Sequence, residues 1–100
     1  MIKPGDVMPR RDTDRELFVV VLSNAIHLAA GTGRLVVCPF IPGELPSETM
    51  SLVVSTQDPE GATLPELVHW LPLAALDDAI ANIGTTALAE ASATVAALIS

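Results

Sequence analysis

Two histidines and five cations carry most of the chemistry available to this 100-residue chain. His27 stands four residues after Ser23 and seven before Arg34, so an imidazole, a hydroxyl and a guanidinium lie near one another in the sequence. Imidazole is the usual proton-transfer group near neutral pH, and a guanidinium beside it suits a phosphate. Arg15, Ser23 and His27 are therefore the candidates for catalysis. Lys3, Arg10, Arg11 and Arg34 are the candidates for holding phosphate. Four of them have a plainer reading: Arg15 as half of a structural ion pair, His27 as a loop residue, Arg10 and Arg11 as solvated surface charge.

His69 precedes Trp70 on an apolar segment, so an extended backbone sends the two side chains to opposite faces. Two scattered histidines and one cysteine within an apolar run give no metal-ligand spacing, and no cofactor is expected. Gly31-Thr32-Gly33 is too short and lacks the lysine of a phosphate loop.

The net charge of −7 is unevenly spread. All five basic residues lie in the first 34 positions, where four acids (Asp6, Asp12, Asp14, Glu16) leave a balance of +1. Residues 35–100 hold the other eight acids and no cation, a balance of −8. A broad nucleic-acid surface is excluded from that stretch, and a phosphate site must draw its cations from the N-terminal third.

The elements that position these groups follow from apolar runs and breakers. Val7-Met8 forms a short strand that Pro9 ends or keeps at an edge. Leu17–Leu22 is continuously apolar and β-branched, the pattern of a strand buried on both faces. Ala25–Ala30 makes a helical turn, stopped by the glycines at 31 and 33. Leu35–Phe40 is a second buried strand, ended by Pro39 and Pro42, and a loop covers 42–49. Met50–Thr56 reads as a third strand, Asp58–Gly61 as a turn, and Leu64–Leu71 as the returning arm of a hairpin. From Pro72 the pattern turns helical, with Leu73, Leu76 and Ile80 on one face. Thr85 or Thr86 caps a last helix reaching about Ile99, with Leu88, Val95, Leu98 and Ile99 along one stripe.

Aromatics make up only 3% of the chain, so a single core of Val, Leu, Ile and Ala is expected, in one domain over residues 1–100. Cys38 sits in an apolar run and packs as a small hydrophobe; a lone cysteine forms no internal disulfide. With neither a signal-like start nor a membrane-length apolar run, a cytoplasmic protein is expected. Strands followed by a terminal helix make an α+β fold, a mostly antiparallel sheet or barrel.

Residues 15–39 carry a family resemblance. Arg15-Glu16-Leu17-Phe18-Val19-Val20-Val21-Leu22-Ser23-Asn24 resembles the first long strand of CcdB toxins, and Gly33-Arg34-Leu35-Val36-Val37-Cys38-Pro39 resembles their next strand. Lys3-Pro4-Gly5-Asp6-Val7 is similar to the start of MazF (PemK-like) toxins, which share the fold. The resemblance implies a small SH3-like antiparallel β-barrel with a C-terminal helix. It also implies a homodimer and neutralisation by a cognate antitoxin with an acidic, disordered tail.

MazF-type relatives cleave single-stranded RNA without a metal, whereas CcdB-type relatives poison DNA gyrase. The sequence departs from both. Leu17-Phe18 replaces the MazF Arg-Pro pair and Ile41 the MazF Thr, while Leu98-Ile99-Ser100 stands where CcdB has Trp-Gly-Ile. A type II toxin acting as an endoribonuclease is the leading expectation, with a gyrase-binding or other protein-targeting toxin as the alternative.

Overall fold

The computed structural model describes residues 1–44 and 52–100. Among them are seven strands: β1 (Asp6–Pro9), β2 (Phe18–Val21), β3 (Arg34–Pro42), β4 (Val54–Gln57), β5 (Glu60–Thr63), β6 (His69–Pro72) and β7 (Ala81–Asn82). Two helices, α1 (Ala25–Ala29) and α2 (Gly84–Ile99), complete the fold. The strands form one antiparallel sheet in the order β4-β5-β3-β2-β1-β7, with β6 also pairing β3. This is the curled α+β half-barrel with a C-terminal helix that the resemblance implied. No helix among the described residues is long and apolar enough to cross a membrane.

The long strand β3 organises the sheet. One edge pairs with β2, Phe18 opposite Phe40 and Val21 opposite Val37. Its other edge is shared by β6 along Arg34–Val37 and by β5 along Phe40–Pro42. Pro39 was expected to end the strand, yet β3 runs through it. Its carbonyl accepts from Leu64 N–H at 3.1 Å. In an antiparallel ladder a residue's N–H and C=O point the same way, so the donor proline lacks falls at the junction between β6 and β5.

Alternation along β1, β2 and β3 builds two cores. Met8, Val19, Val21, Leu35 and Val37 pack with Leu71, Ala75 and Leu76 on one face, where Leu28 and Ile2 join them. Val7, Val20, Cys38 and Phe40 pack with Ile83 on the other, against Ala87 and Leu88 of α2. The period of two thus explains why the β2 run had to be apolar throughout.

Three expectations are corrected. The hairpin partner of β4 is Glu60–Thr63, not Leu64–Leu71. Pro65 starts a 3-10 turn (Pro65–Leu67), and only His69–Pro72 is extended, pairing β3 instead. The stretch after Pro72 makes one 3-10 turn, Leu73–Ala75, rather than a helix. Its backbone then runs along β1, with Asp77 N–H donating to Pro9 O and Ile80 N–H to Val7 O, both at 2.9 Å. Neither Thr85 nor Thr86 caps α2. The Asn82 Oδ1 accepts from Gly84 N–H at 2.8 Å, and both threonines lie inside the helix. Along that helix Ala91 is the buried contact, while Leu98 and Ile99 are exposed. The expected strand Met50–Thr56 is extended from Val54; residues 50 and 51, like 45–49 of the expected loop, lie outside the described residues.

Candidate functional site

The turn from β2 into α1 holds a hydrogen-bonded polar cluster. Asn24 caps α1, its Oδ1 accepting from His27 N–H at 2.9 Å. This fixes the backbone of His27 one turn into a five-residue helix. Ser23, with 3% of its surface exposed, accepts the Val36 N–H at 2.8 Å through Oγ, and the same oxygen lies 2.7 Å from His27 Nδ1. A serine oxygen has two lone pairs, so it can accept from both Val36 N–H and a protonated Nδ1. Nε2 of His27 lies 3.5 Å from Thr32 Oγ1. That hydroxyl is itself held by the Arg34 backbone, accepting from its N–H at 3.2 Å and donating to its carbonyl at 3.3 Å.

An open cavity of about 500 Å³ lies beside this cluster. His27, Thr32, Arg34 and Lys3 all line it, over an apolar floor that includes Leu28 and Leu35. Lys3 is set by the turn into β1, where its N–H donates to Asp6 Oδ2 at 2.8 Å. Gly31 and Gly33 flank Thr32 with φ of +62° and +79°. This left-handed backbone, which glycine adopts freely, folds the loop back so that Thr32 can meet His27.

The structure thus brings together four of the expected residues, Lys3, Ser23, His27 and Arg34, and separates three. Arg10 makes a two-point contact with Asp12, at 2.9 and 2.8 Å. This hydrogen-bonded pairing raises the arginine's pKa and lowers that of the aspartate. Arg11 donates to Ala74 O at 2.9 Å and lies 3.7 Å from Asp77. Arg15 stands in the exposed loop before β2, whereas Ser23 and Arg34 lie past its other end. An extended strand rises about 3.3 Å per residue, so on the order of 20 Å separates Arg15 from His27 within one protomer. The expected pairing of Arg15 with Arg34 and His27 is corrected on that ground.

Ser23 is also recast. Its oxygen is buried against Val36 and is absent from the cavity wall, so it positions the imidazole. Thr32 was not singled out from the sequence; its one signal was a threonine held between two glycines.

A second groove, of about 360 Å³, lies at the opposite end of β2. Leu17, Phe18 and Ile41 line it with Arg10, Glu16 and His69. These are the positions at which the sequence departs from the MazF Arg-Pro and Thr. Leu17 and Ile41 are each 40% exposed, so the departures leave apolar surface at the mouth of a groove.

A family model described as type II toxin–antitoxin system toxin Rv0299 matches residues 5–98. The chain belongs to this toxin family. Toxin Rv0299 of Mycobacterium tuberculosis (strain ATCC 25618 / H37Rv) is 54% identical over 99 residues, a span that is 99% of each protein. Among solved structures, the toxin resembles two crystal forms of MazE-MazF from Deinococcus radiodurans. Form II gives a TM-score of 0.77 at 18% identity over 98% of this chain and 94% of that one. Form III gives 0.75 at 17% identity, covering 98% and 95%. The fold is therefore MazF-like, and the protein is a type II toxin.

Proposed function

We propose that this toxin is a metal-independent endoribonuclease that cleaves single-stranded RNA at the cavity of Lys3, His27 and Arg34. One observation carries the reading: His27 is anchored at Nδ1 by Ser23 Oγ, 2.7 Å away, and shares an open cavity with two cations. With Nδ1–H donated to Ser23, the Nε2 lone pair of the neutral ring is free to act as a base. Nε2 takes the proton of an RNA 2′-hydroxyl, whose oxygen attacks the adjacent phosphorus. Arg34 and Lys3 offset the extra negative charge of the phosphorane. The 5′-oxygen then leaves with the proton returned by Nε2–H, giving a 2′,3′-cyclic phosphate and a 5′-hydroxyl. Through both steps Ser23 accepts from Nδ1–H and holds the ring.

The acidic remainder of the chain confines phosphate contacts to this small site. We place the toxin in the cytoplasm, as a homodimer neutralised by a cognate antitoxin with an acidic tail. The MazE–MazF complexes that share the fold support such a partner, and the local cations suit an acidic segment.

The apolar groove at Leu17, Phe18 and Ile41 supports a second reading, a toxin that binds a protein target such as gyrase. A groove of this kind offers burial rather than proton transfer.

Incubation of the purified toxin with mixed single-stranded RNA and excess chelator decides between them. Discrete products ending in 2′,3′-cyclic phosphate are expected, with cleavage by His27→Ala lower by about 10² or more. Absence of cleavage together with inhibited gyrase supercoiling would overturn the ribonuclease reading and leave the second.

A further inference from the structure

Trp70 is the one tryptophan of the chain, and 59% of it is exposed. Its place in the sheet is specific. Val36 lies opposite Trp70 and Arg34 opposite Pro72 across the β3–β6 ladder. Arg34, Val36, Trp70 and Pro72 therefore share the outer face, while Leu35 and Leu71 between them point into the core. Arg34 and Trp70 form a diagonal pair within reach of long side chains, and the guanidinium carbon sits 5.2 Å from the ring centroid.

From this geometry we infer that Trp70 and Arg34 form a stacking platform for an unpaired base of the RNA whose phosphate sits at His27. The inference rests on the ribonuclease reading and names a specificity element for it. Arg34 joins the two parts, because it lies over the indole and also lines the His27 cavity. Val36 joins them again: it faces Trp70 across the ladder, and its N–H is held by Ser23, the anchor of His27. A base seated on the ring would thus stand one short step from the scissile phosphate.

The chemistry favours a nucleobase. An indole of this size leaves a large apolar area in water, and neither core cluster uses it. Aromatic faces paired with arginine are how proteins hold unstacked bases. In a chain with a net charge of −7, the indole stands beside one of its few cations. A stacked base contributes affinity without adding positive charge, which suits a protein that can neutralise few phosphates.

Because no other tryptophan is present, intrinsic emission reports on this ring alone. The probe is a short 2′-O-methyl RNA oligonucleotide, which lacks the attacking hydroxyl and cannot be cleaved. Saturable quenching of the full-length toxin's emission is expected. End-label anisotropy should show Trp70→Leu binding about tenfold more weakly, with Trp70→Phe restoring most of the loss. On natural RNA, Trp70→Leu should redistribute cleavage among sites, which a merely structural defect would not do. Anisotropy showing binding with unchanged emission and full affinity in Trp70→Leu would overturn the platform and leave the ribonuclease reading standing. Loss of both binding and cleavage in the wild type would remove that reading and the platform with it. An emission change with protein concentration alone would assign the ring to a subunit contact and overturn the inference.

Discussion

Ser23 Oγ stands between the sheet and the imidazole, 2.8 Å from the Val36 nitrogen and 2.7 Å from His27 Nδ1. One buried atom therefore serves both the β3 backbone and the orientation of the proposed base. Ser23→Ala leaves the Val36 N–H without its acceptor, and an unsatisfied buried donor costs roughly 1–3 kcal/mol. Urea unfolding should show a loss of that size. Cleavage should also fall, but by less than in His27→Ala, because the imidazole is still present and only its anchor is gone. Equal losses in the two variants would mean that the imidazole serves only while Ser23 anchors it.

The cations divide into committed and available ones, and salt dependence can separate them. Arg10 is held by Asp12, whereas Lys3 and Arg34 line the His27 cavity. Lys3→Ala and Arg34→Ala should each weaken oligonucleotide binding and lower the slope of log affinity against log salt by about 0.7. Arg10→Ala should leave that slope unchanged. A flattened slope in Arg10→Ala would move the phosphate path to the Leu17–Ile41 groove.

The contrast between those two groups marks what the sequence could convey. Both central strands were legible because Leu17–Leu22 and Leu35–Phe40 had to be apolar on two faces to serve two cores. The proximity of Ser23, His27 and Arg34 was legible for a different reason: only a short helix joins β2 to β3, which leaves those residues little room to be apart. Arg15 was misplaced because proximity along the chain ignores strand direction, and β2 carries it to the far end of the sheet. The strand Glu60–Thr63 was hidden by its composition. A glutamate, a glycine and an alanine carry no strand signal of their own, and β3 and β4 impose the extended form from either side. Pro65 was the one local sign that Leu64–Leu71 begins with a 3-10 turn; the pairing of His69–Pro72 with β3 had none.

Gly61 illustrates how closely that hidden strand is packed. A Cβ built there would lie 2.5 Å from Ile41 O and 2.6 Å from Phe40 Cζ. Backbone cannot yield cheaply at such a distance, so Gly61→Ala must shift β5 away from β3. A destabilisation of about 1–3 kcal/mol is expected, read as a lower urea midpoint. An unchanged midpoint would show that β5 is not held against Ile41.

Cys38 makes a pH-dependent prediction. Burial pushes its thiol from an ordinary 9.0 up to about 11. The unfolded chain therefore loses this proton before the folded one does. The resulting stability is fully present below about pH 9 and is lost as pH rises to about 11, a decline of roughly 2–3 kcal/mol. The chain has no tyrosine and one lysine, so few other side chains titrate in that window. Cys38→Ala should unfold more easily at pH 7 yet show a flatter alkaline limb. A parallel decline in both proteins would assign the effect elsewhere.

Asn82 ties the cavity to the far end of the chain. Its Nδ2 donates to Pro4 O at 3.1 Å and to Asp6 Oδ1 at 2.9 Å, while its Oδ1 accepts from Gly84 N–H at the start of α2. Asp6 in turn holds the Lys3 N–H through Oδ2. Removing the Asn82 side chain leaves a buried carboxylate with one fewer donor and frees the turn that carries Lys3 to the cavity wall. Asn82→Ala should lower stability by about 1–3 kcal/mol. Because Lys3 is then loosely placed, it should also weaken oligonucleotide binding toward the level of Lys3→Ala. Combining the two substitutions separates this from a general loss of fold. If Asn82 acts on the site through Lys3, the double variant binds no worse than the weaker single one, whereas independent effects would add.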